Sequence, residues 1–278
     1  MERIRQAVEQ ARRDREKTNI GDQSKFGSAA ETAAEVHVGR DALSDEPANY
    51  LKAKSVVVGP RILDQNRLVA AIDGHPLQDS YRMLRTRVLQ EMKSNDWKTI
   101  AVASPTPDVG KTLTAVNLAI MIGRDPSYTA LLIDADLRNP SVHRSFNYEP
   151  EFGINDYLFN GQPLGRVLFR PDMQGLTVLP GREPIRESSE TLASPKFTGM
   201  LEEVRSRYAN RIIVVDLAPI LAVDDALALK MHIDCLLMVV ESGETKRDEF
   251  VRAIELIEPL PVLGTVLNKA AKKPASQY

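Results

Sequence analysis

Short runs of apolar, often β-branched residues recur along the last two thirds of the chain. Six of them stand out: TIAVAS (99–104), ALLIDAD (130–136), LTVLPG (176–181), RIIVVDL (211–217), CLLMVVE (235–241) and VLGTVLN (262–268). Their apolar residues are continuous rather than alternating, which indicates strands that are covered on both faces. Segments with helical periodicity lie between most of them, such as 112–122 and 197–208. This alternation predicts an α/β fold with a doubly wound, mostly parallel sheet flanked by helices.

The first 65 residues have a different pattern. Apolar residues at helical spacing within residues 1–17 predict an amphipathic helix that forms fully only against a partner or the body of the protein: Ile4, Ala7, Val8 and Ala11. A frayed, solvated helix is an equally simple interpretation. Residues 18–65 are rich in small and polar types, which predicts a largely flexible linker. We therefore expect the folded domain at 66–270, followed by a short tail at 271–278.

Composition narrows the class of protein. A chain of 278 residues with 43% hydrophobic and 27% charged residues is typical of a soluble protein with one large domain and appendages. The net charge of −2 gives no general attraction to nucleic acid, so we expect no nucleic-acid partner. The single cysteine, Cys235, lies in an apolar run and predicts a core thiol in a reducing cytosol. No apolar run approaches the roughly 18 residues of a membrane helix, so we expect a cytoplasmic protein without a membrane span.

Gly110, Lys111 and Thr112 lie between the first predicted strand of the domain and a helix. The backbone N–H groups of such a turn, together with the positive end of the helix, hold phosphate groups. Lys111 would reach the β- and γ-phosphates, and the hydroxyl of Thr112 would bind Mg²⁺. The strand–loop–helix context therefore predicts a nucleotide-binding phosphate loop.

Three aspartates follow buried strands of the same predicted sheet. Asp134 and Asp136 come at the end of one strand, and Asp216 ends another. Acids at this edge, beside a phosphate loop, suit Mg²⁺ coordination or the activation of a hydroxyl nucleophile. The alternative is that they are ordinary turn and helix-cap residues.

The order and spacing of these motifs resemble those of the bacterial tyrosine kinases of exopolysaccharide and capsule biosynthesis, which are deviant-Walker P-loop ATPases. LLIDADLRNPSVHRSF (131–146) is similar to the Walker A′ block of that family, and IIVVDLAPILAVDDALAL (212–229) resembles its Walker B block. The resemblance runs from about residue 66 to residue 270. It implies an ATP- and Mg²⁺-dependent protein-tyrosine autokinase that regulates polysaccharide polymerisation and export.

The resemblance also implies roles for individual residues. It implies a set that binds the nucleotide, including an asparagine that contacts adenine: Asp108, Val109, Gly110, Lys111, Thr112, Leu113 and Asn268. It implies a metal-binding set and a catalytic set: Thr112, Asp134 and Asp216 for the metal, and Lys111, Asp134, Asp136 and Asp216 for catalysis. For Asn268, an ordinary turn at the end of a strand remains the alternative.

Oligomer and partner contacts follow from the same resemblance. DSYRMLR places Asp79, Arg82 and Arg85 where the family has a motif that joins subunits into a ring, although the two arginines could simply be solvated charges. The opening helix is similar to that of soluble autokinases that work with a separate membrane chain-length-determinant protein. Such a partner would recruit the chain to the inner face of the membrane. Tyr278 is the one tyrosine in the tail that could accept a phosphoryl group, or it is merely the last residue.

Asp108 is the main departure from the family pattern, because it stands where a glycine is usual. It loses the freedom of glycine to adopt a positive φ, although aspartate tolerates the left-handed region better than most residues. Two like charges about 4 Å apart repel by roughly 4 kcal/mol near a protein surface, and by less if the side chain points outward. The altered loop favours a catalytically weak regulatory subunit of an export complex as an alternative function. A partitioning-type ATPase is a further alternative, although Thr106 stands where such proteins usually carry an extra lysine.

Overall fold

The computed structural model of the protein describes residues 53–270. The predicted helix at 1–17, most of the predicted linker, the predicted tail and Tyr278 lie outside the described residues. Within residues 53–270, no helix combines the length and the apolar character needed to cross a membrane.

The described chain alternates strands and helices. The strands are β1 (Lys54–Val56), β2 (Thr99–Ala103), β3 (Thr129–Asp134), β4 (Phe169–Pro171), β5 (Leu176–Leu179), β6 (Arg211–Asp216), β7 (Cys235–Glu241) and β8 (Val262–Asn268). The helices are α1 (Pro60–Gln65), α2 (Gln78–Ser94), α3 (Lys111–Gly123), α4 (Val142–Ser145), α5 (Ile154–Asn160), α6 (Leu164–Val167), α7 (Ser188–Leu192), α8 (Pro195–Arg207), α9 (Asp225–Leu229) and α10 (Arg247–Ile257), and a 3₁₀ turn spans Val69–Ala71.

The eight described strands form one sheet in the order β1-β4-β5-β3-β6-β2-β7-β8. All neighbouring pairs are parallel except β4 and β5, which pair antiparallel. The strand order reverses around β2, β3 and β6, which is where an open parallel sheet leaves a crevice at its carboxyl edge. The predicted doubly wound, mostly parallel fold is therefore confirmed, and each of the six apolar runs contains a strand.

Two buried clusters cover the two faces of the sheet. Alternate residues of β2, β3, β6 and β7 belong to one cluster or the other, so these strands are buried on both faces apart from Thr129, Val240 and Glu241 at their ends. Helices α2 and α3 pack in one cluster, whereas α5, α8, α9 and α10 pack in the other. This double coverage explains why the strand sequences are continuously apolar. Cys235 belongs to the core, and burial raises the pKa of its thiol to about 12.

The folded domain begins earlier than the sequence indicated. Residues 54–65, which the sequence analysis assigned to the linker, form β1 and α1. The buried Asn117 of α3 fixes the segment that follows, because its side chain accepts from Ala70 N at 2.9 Å and donates to Arg67 O at 3.1 Å. The sequence did not indicate β1 because this strand has three residues, two of them exposed, at the edge of the sheet.

Candidate active site

The register of β3 and β6 brings two of the predicted acids together. These strands pair in parallel, and Asp134 lies directly opposite Asp216. Both are the last residue of their strand, and both are fully buried. Asp136, two residues beyond β3, is also buried. The carboxyl edge of the sheet therefore carries a compact acidic cluster, which in this article means Asp134, Asp136 and Asp216.

The predicted phosphate loop connects β2 to α3. Helix α3 begins at Lys111, and Gly110 precedes it with φ 92° and ψ 29°. Asp108 also adopts a left-handed conformation, with φ 61°, and it is exposed. Aspartate thus takes the backbone conformation that glycine favours, and it is exposed where it lines a cavity together with Lys111 and Thr112. Because of this exposure, the repulsion expected between Asp108 and a bound phosphate is weakened by solvent.

Lys111 and Thr112 connect the loop to the acidic cluster. Lys111 Nζ lies 2.7 Å from Asp136 Oδ2 and 3.5 Å from Asp216 Oδ1. Thr112 Oγ1 donates to Asp216 Oδ2 at 2.6 Å. The structure therefore brings together the five residues that the sequence placed in the catalytic and metal-binding sets.

Burial and mutual repulsion govern the ionisation of this cluster. Burial, followed by the charge of Asp216, raises the pKa of Asp134 to about 7. Burial also raises the pKa of Asp216, although Lys111 and the Thr112 hydroxyl act against this effect. Burial alone lowers the pKa of Lys111, but Asp216 and Asp136 more than compensate, and the pKa is raised. Lys111 is therefore charged and partly neutralises the acids around it.

Asp134 and Asp136 differ in what they can reach. Asp134 Oδ2 accepts from Ser141 N at 2.9 Å and from Val142 N at 3.0 Å, while its buried Oδ1 has no hydrogen-bond partner among the described groups. Asp136 lines a cavity of about 430 Å³ together with Lys111 and Thr112. We call this space the phosphate cavity. Asp136 is therefore the member of the pair that faces the space where a substrate would bind.

Arg138 lines the same cavity, and its side chain is held by a hydrogen bond to a residue that does not line the cavity. Its Nε donates to Ser188 Oγ at 2.8 Å, and Ser188 Oγ donates to Asp225 Oδ1 at 2.6 Å. Asp225 is buried, and this burial raises its pKa. A second cation besides Lys111 thus lines the cavity, held by Ser188 of α7, which itself bonds to Asp225 of α9.

A second cavity of about 770 Å³ lies on the other side of the loop. Its lining includes residues from α1, α2, α3 and β8, among them Tyr81, Leu84, Leu113 and Asn268. We call it the β8 cavity. Gly110 lines both cavities. A molecule with an anionic end and a flat apolar end could therefore lie across Gly110 and occupy both.

The predicted nucleotide-binding residue Asn268 contacts the loop directly. Its Nδ2 donates to Val109 O at 2.7 Å while it also lines the β8 cavity. Two neighbours that the sequence analysis did not single out, Lys269 and Glu241, join this contact. Their contacts depend on the parallel pairing of Glu241 with Asn268 at the ends of β7 and β8, which the sequence alone does not show.

The three residues predicted to join subunits differ in their exposure to solvent. Arg82 and Asp79 form an exposed ion pair of 2.6 Å within α2. Arg85 turns toward the body, where its Nη1 lies 3.9 Å from Asp125 Oδ2. Their role in a ring stays a prediction.

The residues at the loop suit a hard divalent cation that takes part of its coordination from water and phosphate, rather than a metal ion held by protein ligands alone. In the described range 53–270, no group of three or more His, Cys, Asp or Glu side chains is arranged to hold a metal ion by itself. Mg²⁺ commonly takes one or two carboxylates and completes its shell with water and substrate phosphates. The Thr112 hydroxyl, Asp216 and the unpartnered Oδ1 of Asp134 match that kind of donor set.

Comparison with known proteins gives a consistent group of relatives. No family model matches the chain. It is 25% identical over 261 residues to the tyrosine-protein kinase ptk of Acinetobacter johnsonii, covering 93% of this chain and 34% of that kinase. It is 28% identical over 217 residues to the tyrosine-protein kinase YwqD of Bacillus subtilis, covering 77% of this chain and 90% of YwqD. It is 30% identical over 219 residues to the succinoglycan biosynthesis transport protein ExoP of Rhizobium meliloti, covering 77% of this chain and 27% of ExoP.

Solved structures share the fold. The chimerical protein CapA2B2 matches with a TM-score of 0.69 and 25% identity, over 79% of this chain and 94% of that one. The septum site-determining protein MinD of Pyrococcus horikoshii matches with a TM-score of 0.51 and 16% identity, over 61% and 69% of the two chains, which is a likeness of fold alone. The chain spans about a third of the ptk kinase and about a quarter of ExoP, so it corresponds to one part of those longer relatives.

Proposed function

We propose that this member of the bacterial tyrosine kinase family transfers the γ-phosphoryl group of ATP to protein tyrosine, including tyrosine on copies of itself. The observation that carries the proposal is the convergence of Lys111, Thr112 and Asp136 on one cavity at the start of α3. The buried Asp216 supports them, because it lies 3.5 Å from Lys111 Nζ and accepts from the Thr112 hydroxyl. A phosphate loop with a cation and acids at this distance is the equipment that phosphoryl transfer needs.

ATP fits the two cavities in one orientation. The phosphates would lie in the phosphate cavity, against the loop and the N-terminus of α3, where N–H groups and the helix dipole favour negative charge. The adenosine end would lie in the β8 cavity, against Leu113 and beside Asn268. Gly110, which lines both, permits the close approach of the nucleotide at the crossing point.

The residues of the site divide the chemistry between them. Lys111 would leave its ion pair with Asp136 to bind the β- and γ-phosphates, which frees Asp136. As the bond from the γ-phosphorus to the β,γ-bridging oxygen breaks, a bond forms to the tyrosine oxygen, and Asp136 takes the hydroxyl proton. Mg²⁺, held by Thr112, Asp134 and Asp216, would neutralise phosphate charge. The products are ADP and phosphotyrosine.

The biological setting follows from the relatives. One of them is a succinoglycan biosynthesis transport protein, so we place this kinase in the control of exopolysaccharide polymerisation and export. We further propose that copies assemble through Asp79, Arg82 and Arg85, that a membrane chain-length-determinant protein recruits them to the cytoplasmic face, and that Tyr278 is an acceptor. The exposed Asp79 and Arg82 are compatible with such an assembly.

Phosphotyrosine formation tests this function directly. The purified full chain is incubated with ATP and Mg²⁺, and phosphotyrosine is identified by mass spectrometry. Lys111→Met is expected to lower its formation by about 10³-fold, because the charge that stabilises the transferred group is lost. Lys246→Met, at an exposed lysine just before α10, is the matched control and should leave the rate unchanged. Tight ATP binding without phosphotyrosine, alone or with a membrane partner, would instead support the regulatory subunit.

A further inference from the structure

Side chains at the end of β8 and just beyond it form hydrogen bonds to the backbone of the phosphate loop. Lys269 Nζ donates to the backbone oxygen of Asp108 at 2.8 Å, and Asn268 Nδ2 donates to that of Val109 at 2.7 Å. Lys269 Nζ also lies 2.9 Å from Glu241 Oε2. We call Glu241, Asn268 and Lys269 the loop latch.

The sheet fixes the latch in place. Glu241 and Asn268 are paired residues of β7 and β8, and Ser242 N donates to Asn268 O at 2.9 Å just beyond the last pair. Lys269 has φ 52°, a left-handed turn that ends the strand and brings its side chain over the loop. The Glu241 side chain is 20% exposed and the Lys269 side chain is 46% exposed, so solvent partly screens their ion pair.

The latch fixes the direction in which loop N–H groups point. In a planar trans peptide the C=O of one residue and the N–H of the next point in opposite directions. Holding the carbonyls of Asp108 and Val109 toward β8 therefore turns the N–H groups of Val109 and Gly110 away from β8. Those N–H groups become donors for an anion, while the carbonyls that would repel it are occupied.

This constraint matters because of the residue at position 108. Asp108 has φ 61° and Gly110 has φ 92°. This left-handed region costs a non-glycine residue more free energy than it costs glycine. A cation bonded to the Asp108 carbonyl stabilises this conformation. It also places positive charge beside a loop that carries an additional carboxylate.

We infer that Lys269, oriented by Glu241, is a positioning residue that holds the phosphate loop in its anion-binding shape. The inference rests on the proposed nucleotide site and adds to it a residue 158 positions beyond Lys111 in sequence. Lys269 also lines the β8 cavity. The inference therefore predicts a larger loss of affinity for nucleotides that carry phosphates than for adenosine.

Calorimetric binding of ATP, ADP and adenosine to the full chain tests the inference. Lys269→Met is expected to weaken ATP and ADP binding by about tenfold, the value of one charge-assisted hydrogen bond, and to weaken adenosine binding by no more than about threefold. Lys269→Arg should recover most of the affinity because it keeps the charge and the donors. Glu241→Gln should give a smaller loss of the same kind, and Lys246→Met serves as the control. The melting temperatures of all unliganded variants identify any loss caused by unfolding.

The outcomes separate this inference from the proposed function. If the wild type binds ATP and Lys269→Met binds it as tightly as Lys246→Met does, the positioning role is wrong. Equal losses for ATP and adenosine, or an arginine variant as weak as the methionine one, also overturn it. If the wild type itself binds no nucleotide, the proposed function fails, and the positioning role fails with it.

Discussion

The phosphate loop and the acidic cluster meet at Lys111, but they present different kinds of chemical group to a ligand. The loop between β2 and α3 contains two left-handed residues, Asp108 and Gly110. Side chains at the end of β8 and just beyond it donate to the carbonyls of Val109 and Asp108. The acidic cluster presents side chains, and the pairing of β3 with β6 buries two of them completely. One region works through backbone shape and the other through charge.

This difference decides which substitutions each region tolerates. A side chain on the loop is acceptable where it points to solvent and allows a positive φ, as Asp108 does. Asp136 and Asp216 have no such freedom, because Lys111 lies within 3.5 Å of both and Thr112 donates to Asp216. We therefore expect large effects in the cluster and graded effects in the loop.

Asp216→Asn is expected to have the largest effect. It removes the charge that orients Thr112 and Lys111, so the rate of phosphotyrosine formation should fall by about 10²- to 10³-fold. The unliganded variant should be no less stable than the wild type, because burial disfavours the charged form of Asp216. Rate measurements check the expected loss of activity, and thermal unfolding checks the expected stability. A variant that is inactive only because it unfolds would contradict the assigned role.

Gly110→Ala should have the next largest effect, because both the backbone conformation and a close neighbour disfavour a side chain at this position. The position has φ 92°, and an added Cβ would lie 2.2 Å from Asn268 Nδ2. We expect a loss of about 1–3 kcal/mol in the free energy of unfolding and at least about tenfold weaker ATP binding. Gly199→Ala in α8 is the control, since its Cβ would meet no atom within 4 Å and alanine favours helix. Equal behaviour of the two variants would refute this explanation.

Asp134→Asn should change how stability depends on pH. The pKa of Asp134 is raised to about 7 in the folded protein, above its value of roughly 4 in the unfolded chain. The folded state therefore holds the proton more tightly, and stability falls as the pH rises from about 4 to about 7. The asparagine variant lacks this loss, so its stability relative to the wild type should grow by about 1–4 kcal/mol over that range. Unfolding measured from pH 5 to pH 8 checks this, and a constant difference would contradict it.

Asp108→Gly should have the smallest effect. The backbone already has the conformation that glycine favours, and the carboxylate is exposed, so ATP affinity should change by less than about threefold. Calorimetry of the variant beside the wild type measures it. An increase in affinity of tenfold or more would mean that the aspartate weakens the site.

The sequence predicted the centre of this site better than its surroundings. Lys111, Thr112 and the three acids could be found because buried parallel strands end at the same edge of a sheet. Lys269 and Glu241 could not, because their contacts depend on the turn after β8 and span 161 and 28 residues. The start of the domain was predicted too late, because β1 is a short edge strand that carries almost no pattern.

A side-by-side assay of phosphotyrosine formation by the wild type, Asp216→Asn and Asp108→Gly tests the central claim, that the acidic cluster and the loop form one kinase site with unequal tolerance. The measurement is the initial rate of tyrosine phosphorylation at saturating ATP and Mg²⁺, quantified by mass spectrometry on the full chain. We predict that Asp108→Gly stays within about threefold of the wild type while Asp216→Asn falls by at least about 10²-fold. A wild type that forms no phosphotyrosine until Asp108 becomes glycine, or an Asp216→Asn variant as active as the wild type, would contradict it.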